Sequence, residues 1–112
     1  MTPTDIVQRQ LEAYNDHHLE RFIATYSDTV ALYRMPATAP ALVGKAALAA
    51  FYAGQRFNVP TLHAEVVRRT AVGNKVIDHE RITGLLDQPY EVAAVYEVVG
   101  GLIQNVWMFA AD

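Results

Sequence analysis

The sequence contains no cysteine in its 112 residues. This absence excludes disulfide bonds, thiolate nucleophiles and cysteine-based zinc sites, and it fits a reducing cytoplasm. The chain also lacks any run close to the ~20 apolar residues that a membrane-spanning helix requires. Its first residues, Met1 to Asp5, have neither the basic start nor the apolar core of a signal peptide. We therefore expect a cytoplasmic protein that has no membrane partner.

Positive charge is also scarce. Nine Lys and Arg against twelve Asp and Glu give a formal net charge of -3, and no basic run is present, which argues against nucleic acid as a partner. Hydrophobic residues make up 52% of the chain and charged residues 19%, so one core can form without a disulfide or a metal. Neither a repeat nor a linker interrupts the sequence, which predicts a single domain over residues 1–112.

Helical patterns occupy the first half of the chain. Thr2 or Thr4 can cap a first helix whose apolar residues recur at i, i+3, i+4 and i+7. Asp16 is the predicted cap of a second, short helix with a buried stripe that ends at Tyr26. A strand follows over residues 30–35, then a Pro/Ala-rich loop over 36–43, and a third helix over 45–56. The His17-His18 pair lies in the turn between the first two helices, and both residues are expected to be solvent-facing capping residues.

The second half of the chain has the alternation of β-strands. Four β segments are predicted over residues 62–69, 75–83, 91–99 and 102–109, with turns at Gly73-Asn74 and Gly100-Gly101. Helices followed by an antiparallel meander are typical of the α+β class. We therefore predict that three helices cover one face of a curved antiparallel sheet.

The pairing register decides which strand side chains face the helices. A two-residue turn at Gly73-Asn74 places Arg69 opposite Asp78, and the next loop, at residues 87–89, places Glu80 opposite Tyr96. A β-bulge would reverse part of this assignment. The predicted inner face then combines apolar and ionisable residues: His63, Glu65, Val67, Arg69, Asp78, Glu80, Ile82, Ala94, Tyr96 and Val98.

Three ionisable residues on that face are candidates for catalysis. Asp78 and Glu80 lie two residues apart on one strand, with side chains about 6.5–7 Å apart, so burial and repulsion would raise at least one pKa toward neutrality. His63 would be a second proton carrier. Each has a structural alternative, in which Asp78 pairs with Arg69, Glu80 bonds to Tyr96, and His63 is hydrogen-bonded near a strand end.

The order of these segments resembles the nuclear transport factor 2-like superfamily, in particular its SnoaL-like and ketosteroid-isomerase-like members. The matching stretches are residues 6–15, 19–32 and 44–52, the hairpin over 72–78, and the last strand pair around Gly100-Gly101. The resemblance covers nearly the whole chain. It implies a cone-shaped sheet around a central pocket that binds a small molecule, and a homodimer formed through the outer sheet face, where His79 and Trp107 are expected.

The resemblance also excludes one activity. Ketosteroid isomerases use a tyrosine, an aspartate base and a protonated aspartate, and the matching positions here hold Gln10, Arg34 and Ala94. A tyrosine late in the third helix of relatives is matched by Tyr52.

Four polar residues are therefore the predicted ligand contacts. Tyr14, Tyr52 and Tyr96 are expected to direct their hydroxyl groups into the pocket, where they would orient a carbonyl or hydroxyl group. Gln10 is the fourth, on the first helix.

The resulting hypothesis is a SnoaL-like pocket enzyme that uses no cofactor and no metal. It would perform acid/base chemistry on a small, largely apolar, oxygenated molecule: isomerisation, cyclisation, dehydration or hydration. Glu80 and Asp78 would be the acid/base residues, assisted by His63. The alternative is a non-catalytic module of the same fold that binds a small ligand or mediates dimerisation, including an accessory subunit that works as a dimer.

Overall fold

The computed structural model describes residues 1–111. The residues described form three helices and six strands. All three helices and the first two strands lie in the first half of the chain, and the second half consists of strands alone. In chain order the elements are α1 Pro3–Asn15, α2 Leu19–Ile23, β1 Tyr26–Arg34, β2 Leu42–Val43, α3 Lys45–Gln55, β3 His63–Val72, β4 Lys75–Thr83, β5 Tyr90–Val99 and β6 Leu102–Ala110. No helix within residues 1–111 is long and apolar enough to cross a membrane.

Helix α1 begins where its capping residues predict. The backbone N–H of Asp5 donates to Thr2 Oγ1 at 3.1 Å, and the N–H of Thr2 donates to Asp5 Oδ2 at 2.9 Å. This reciprocal pair is a capping box, and Pro3 occupies the first turn, where its missing N–H costs nothing. The face that α1 turns toward the sheet carries Ile6, Val7, Gln10 and Ala13, all buried.

Helix α2 has a different cap from the predicted one. His18 Nδ1 accepts from the backbone N–H of Arg21 at 3.2 Å, so His18 is the N-cap. Asp16 instead ends α1 and forms an ion pair with Arg21 at 2.7 Å. The helix is only five residues long because the chain becomes extended at Tyr26, which opens β1 rather than closing the helix. Phe22 is fully buried and fixes α2 to the core.

The sheet is six-stranded and curved, in the order β2-β1-β6-β5-β4-β3. The predicted meander of β3 to β6 is antiparallel throughout, while β1 pairs in parallel with β6 and makes the sheet mixed. The two-residue strand β2, inside the predicted loop, was too short to leave an alternating pattern. The predicted α+β class and the helix-covered curved sheet are confirmed.

A bulge corrects the predicted register of β3. Arg69 does lie opposite Asp78, but Val67 has no partner on β4, so Val66 rather than Val67 lies opposite Glu80. On the N-terminal side of the bulge, every side chain of β3 therefore points to the face of the sheet opposite to the predicted one. The predicted inward orientation is therefore wrong for three residues: His63, Glu65 and Val67.

The loop between β4 and β5 is also longer than predicted. Val92 rather than Tyr96 lies opposite Glu80. The register is shifted by an even number of residues, and side chains alternate along a strand. The side of β5 that faces the helices is therefore the predicted one. The loop begins early because Gly84 has a φ of +79° and packs against Thr61. A Cβ at this position would lie 1.8 Å from the Thr61 carbonyl oxygen, so the backbone can pass here only as glycine.

The end of α1 is tied to β3 by side chains. Asn15 Nδ2 donates to the carbonyl of Ala64 at 2.9 Å, and the N–H of Ala64 donates to Asn15 Oδ1 at 2.8 Å. The amide thus pairs with this edge strand as a neighbouring strand would. His17 Nε2 donates to the carbonyl of Leu62 at 2.8 Å. His17 is therefore half-buried against the sheet, and the prediction that it faces solvent is wrong.

The two faces of the sheet differ in composition. The helix-covered face forms the core, which includes Phe22, Tyr26, Leu48, Val76, Ile103 and Val106. On the outer face Trp107 stacks on Tyr33, with ring centroids 6.1 Å apart, and His79 pairs with Glu91. Both residues lie on the predicted face, while the homodimer expected there stays a prediction.

Candidate functional site

A cavity of about 270 Å³ lies between the helices and the sheet. This volume is close to the lower end of the ~300–1,000 Å³ typical of ligand pockets, which favours a compact molecule. Helices α1 and α3 form one wall, and strands β1, β3, β4, β5 and β6 form the other. Most of the lining is apolar: Leu11, Leu32, Met35, Phe51, Ala64, Ile82, Val92, Val106, Met108, Phe109 and Ala110.

Glu80 is the carboxylate that lines this cavity. Its side chain projects from β4, the residue is 7% exposed, and the hydroxyl of Tyr96 donates to its Oε2 at 3.2 Å. Burial, and then the charge of Asp78, raise the pKa of Glu80 from 4.5 to about 7. A carboxyl group with this pKa is available near neutral pH both as an acid and as a base.

Asp78 has the structural role that the sequence left as an alternative. It is 1% exposed, and Arg69 donates to both of its oxygens, from Nε at 2.6 Å and from Nη2 at 2.9 Å. The remaining donor of the guanidinium, Nη1, bonds Gln8 Oε1 on α1 at 2.7 Å. The cavity lining formed by residues 1–111 does not include Asp78. Its effect on the pocket is electrostatic, because its charge opposes ionisation of Glu80.

His63 does not reach the pocket. It lies at the start of β3, opposite Thr83, and its side chain is exposed on the outer side of the sheet. The bulge at Val67 is the reason, because it reverses the alternation for the first part of the strand. The structure therefore does not bring His63 together with Glu80.

The three predicted tyrosines all line the cavity. Tyr14 on α1 and Tyr52 on α3 meet edge to face, with ring centroids 6.2 Å apart, and Tyr96 comes from β5. Burial raises the pKa of Tyr52 to about 12 and raises those of Tyr14 and Tyr96 well above the usual value. The three hydroxyls consequently stay protonated and can donate hydrogen bonds to a ligand oxygen.

Two further tyrosines were missed from the sequence. Tyr26 was assigned to the stripe of α2 but opens β1, and Tyr90 was placed between a predicted loop and a predicted strand but opens β5. Both line the same cavity. Burial raises both pKa values, and the charge of Glu80 raises them further. The sequence feature that could have indicated both residues is a bulky aromatic residue at the start of a strand.

Gln10 also contributes a polar group to the lining. The residue is 5% exposed on the sheet-facing side of α1. Gln10 lines the cavity, so its side-chain amide is open to a ligand there. An amide can both donate and accept a hydrogen bond, so Gln10 is placed to bond a ligand.

Two arginines at the rim of the cavity were not predicted as site residues. The guanidinium carbon of Arg34 lies 5.1 Å from the centroid of the Phe51 ring, and that of Arg56 lies 4.9 Å from it. Both arginines line the cavity. No sequence pattern indicates this pairing, because Arg34 ends β1 and Arg56 follows α3, far apart in the chain.

The side chains that line the cavity are able to transfer a proton and to form hydrogen bonds. They offer one carboxyl group that titrates near neutrality, five phenol donors and one amide, inside an apolar wall. Within the described part of the chain, no three carboxylate or histidine side chains converge as metal ligands would.

Comparison with known proteins identifies the fold and a family. The SnoaL-like domain family matches residues 7–106. Among curated proteins, none has significant sequence similarity to the chain. An uncharacterised cystatin-fold protein from Novosphingobium aromaticivorans is similar in structure, with a TM-score of 0.87 and 22% identity over 96% of this chain and 97% of that one.

Two further solved structures have the same fold and suggestive names. A candidate ketosteroid isomerase from Kribbella flavida has a TM-score of 0.82 and 22% identity, over 98% of this chain and 78% of that one. A candidate polyketide cyclase from Sinorhizobium meliloti has a TM-score of 0.79 and 16% identity, over 93% of each chain. At these identities the likeness establishes the fold.

Proposed function

The chain belongs to the SnoaL-like domain family, and we propose that its pocket catalyses proton transfer on a small, largely apolar, oxygenated molecule, using only its own side chains. The observation that carries this proposal is a buried carboxyl group, Glu80, whose pKa is raised to about 7 inside an apolar cavity. Isomerisation, cyclisation, dehydration and hydration all include such a proton transfer. The isomerase and cyclase names of two fold neighbours agree with this reaction class.

Glu80 is the proton carrier in the proposed mechanism. Its carboxylate takes a proton from the carbon next to a ligand carbonyl; the C–H electron pair forms a C=C bond, and the π pair of the carbonyl moves onto its oxygen to give an enolate. The resulting carboxylic acid then returns the proton to the same carbon or to another carbon of the ligand. The pKa near 7 suits both steps, since each protonation state is populated at neutral pH.

The tyrosines stabilise the charge that develops on the ligand oxygen. Tyr14 and Tyr52 line the cavity with protonated hydroxyls, and either can donate to that oxygen. Gln10 can donate from its amide. Preorganised donors in a site that excludes water are usually the largest contribution to such catalysis.

Deuterium exchange tests the proposal without knowledge of the natural substrate. 2-Tetralone, a compact apolar ketone, is incubated with the protein in D₂O, and deuterium at the carbon next to its carbonyl is measured by mass spectrometry. We expect exchange above the buffer rate that increases with pH through about 7. Glu80→Gln should lose on the order of 10²-fold or more of it.

Glu65→Gln is the matched control, because Glu65 is exposed on the outer face. It should exchange as the wild type does. Equal exchange by wild type and Glu80→Gln would contradict the proposed role of Glu80.

A non-catalytic binding module is the second candidate function. It is favoured by the hydrogen bond from Tyr96 to Glu80, which already engages the carboxylate. This candidate requires that 2-tetralone binds the wild type and Glu80→Gln with equal affinity while neither protein accelerates exchange. Calorimetric titration of both proteins with the ketone would distinguish the two functions.

We further propose a homodimer through the outer sheet face. Its support is an apolar surface that includes the Tyr33–Trp107 stack and two exposed aliphatic residues, Ile77 at 39% and Val99 at 52%. Sedimentation should give twice the mass of the chain, and Trp107→Glu should give the monomer. A wild-type monomer at all concentrations would contradict the dimer.

A further inference from the structure

We infer that the rim of the pocket binds a carboxylate through Arg34 and Arg56, so that the ligand is an organic acid with a compact apolar body. This inference rests on the proposed function, because it assigns the substrate class of the same pocket. It places the anionic end of the ligand at the rim and the reacting part beside Glu80.

The first observation is that the two guanidinium groups share one anchor. Arg34 comes from the end of β1 and Arg56 from the end of α3, yet both lie about 5 Å from the Phe51 ring centroid, at 5.1 Å and 4.9 Å. A cation over an aromatic face is attracted by the ring quadrupole. Phe51 therefore contacts two charges from distant parts of the chain at the cavity wall.

The second observation is that these two charges have no acidic partner within residues 1–111. Arg56 donates from Nη1 to the carbonyl of Gln55 at 2.8 Å, and neither arginine takes part in an ion pair. By contrast, Arg21 and Arg69 each bind an aspartate. Two guanidinium groups that contact the same aromatic ring and have no acidic partner within residues 1–111, in a chain of net charge -3, are suited to bind a carboxylate.

The third observation is that the positive charge extends into the cavity. Arg34 and Arg56 both oppose the upward pKa shifts that burial causes in Tyr52 and Tyr90. Glu80 is the carboxyl group of the lining, so two cations face one acidic group even when Glu80 is ionised. The balance of charge in the pocket is therefore positive, which favours an anion over a neutral or cationic ligand.

The polar groups also lie at two depths. Arg34 is exposed at the rim, whereas Glu80 is 7% exposed within the fold. Most of the other lining residues are apolar. A molecule with an anionic end, an apolar body and an oxygen at the other end would match these groups.

A matched pair of probes tests the inference. 2-Naphthoate and 2-naphthamide have the same ring system and differ in charge, and their affinities can be measured by calorimetry in low-salt buffer near pH 6, where the acid is ionised and Glu80 is mostly protonated. We expect the carboxylate to bind on the order of tenfold more tightly than the amide.

The double variant Arg34→Gln/Arg56→Gln should lose this preference and bind the amide as the wild type does. The control Arg9→Gln/Arg68→Gln removes the same charge from exposed positions outside the cavity lining and should keep the preference. If the double variant does not fold, the wild type alone decides: raising the salt concentration should weaken binding of naphthoate and leave that of naphthamide unchanged.

Each outcome has one consequence. Equal affinity of the wild type for the two probes, or a preference that survives in the folded double variant, would overturn the carboxylate site and leave the proposed function intact. Binding of neither probe would overturn both, because the cavity would then not accept a compact aromatic molecule at all.

Discussion

Asp78 and Glu80 lie two residues apart on the same face of β4, but their side chains have very different surroundings. Asp78 is enclosed by Arg69, which donates to both of its oxygens. Glu80 lines a cavity, and its one hydrogen bond within residues 1–111 comes from the neutral hydroxyl of Tyr96. The surroundings of Asp78 therefore stabilise a negative charge, whereas those of Glu80 oppose its ionisation.

The comparison shows that two equally buried carboxyl groups can have opposite electrostatic surroundings. Both side chains are more than nine-tenths buried, but only Asp78 has a cation and a full set of donors. Its charge, fixed by that cation, then acts on its neighbour and raises the pKa of Glu80 further. The carboxylate of Asp78, paired with Arg69, thus helps to raise the pKa of Glu80, which lines the cavity.

Removing the partner of Asp78 should produce the largest effect. Arg69→Met leaves a charge buried without compensation, and we expect a loss of about 3–5 kcal/mol in the free energy of unfolding, measured by urea denaturation at pH 7. Arg68→Met is the control, since Arg68 is exposed and outside any ion pair of residues 1–111. A loss below ~1 kcal/mol would mean that the ion pair does not sustain the buried charge.

Replacing Glu80 should stabilise the protein, but only above acidic pH. A folded-state pKa raised from 4.5 to about 7 means that the native state holds its proton while the unfolded chain loses it, so stability falls as pH rises between these values. By pH 8 this costs about 3 kcal/mol. Glu80→Gln should recover most of it at pH 8 and change little at pH 4.

Urea denaturation across this pH range checks the prediction for Glu80, with Glu65→Gln as the exposed control. A destabilised Glu80→Gln at pH 8 would show that the carboxylate is favourably solvated in the folded state.

Removing the donor to Glu80 should have the smallest effect. The hydrogen bond from Tyr96 lowers the pKa of Glu80 against the effect of burial. Tyr96→Phe should therefore raise that pKa and cost about 1 kcal/mol at pH 8. Tyr33→Phe, on the outer face and stacked on Trp107, should change neither quantity. A lower pKa in Tyr96→Phe would contradict the contact.

The fold was predictable because it depends on local patterns. Helix α1 follows from its cap and its apolar spacing, and the hairpins follow from Gly73 and Gly100-Gly101, all three of which have positive φ. The orientation of Glu80 toward the helix-covered cavity follows from simple alternation along β4, which has no bulge opposite β5. These features need only the neighbours of each residue in the chain.

The rest of the site depends on a β-bulge and on contacts between residues far apart in the chain, which local sequence patterns do not indicate. A single unpaired residue, Val67, moves His63 to the outer face. Similarly, Arg34 and Arg56 are brought to one ring only when β1 and α3 pack together. The distinction between Asp78 and Glu80 was present as alternatives, and the cross-strand Arg69 decided it.

The most direct test is to titrate the Glu80 carboxyl group itself. Carbon-13 NMR of the side-chain carboxyls, with the Glu80 signal assigned by its loss in Glu80→Gln, gives the pKa without any substrate. We expect a midpoint of about 7. A midpoint near 4.5, the ordinary value for glutamate, would contradict the claim that the pocket makes this residue an acid and base at neutral pH.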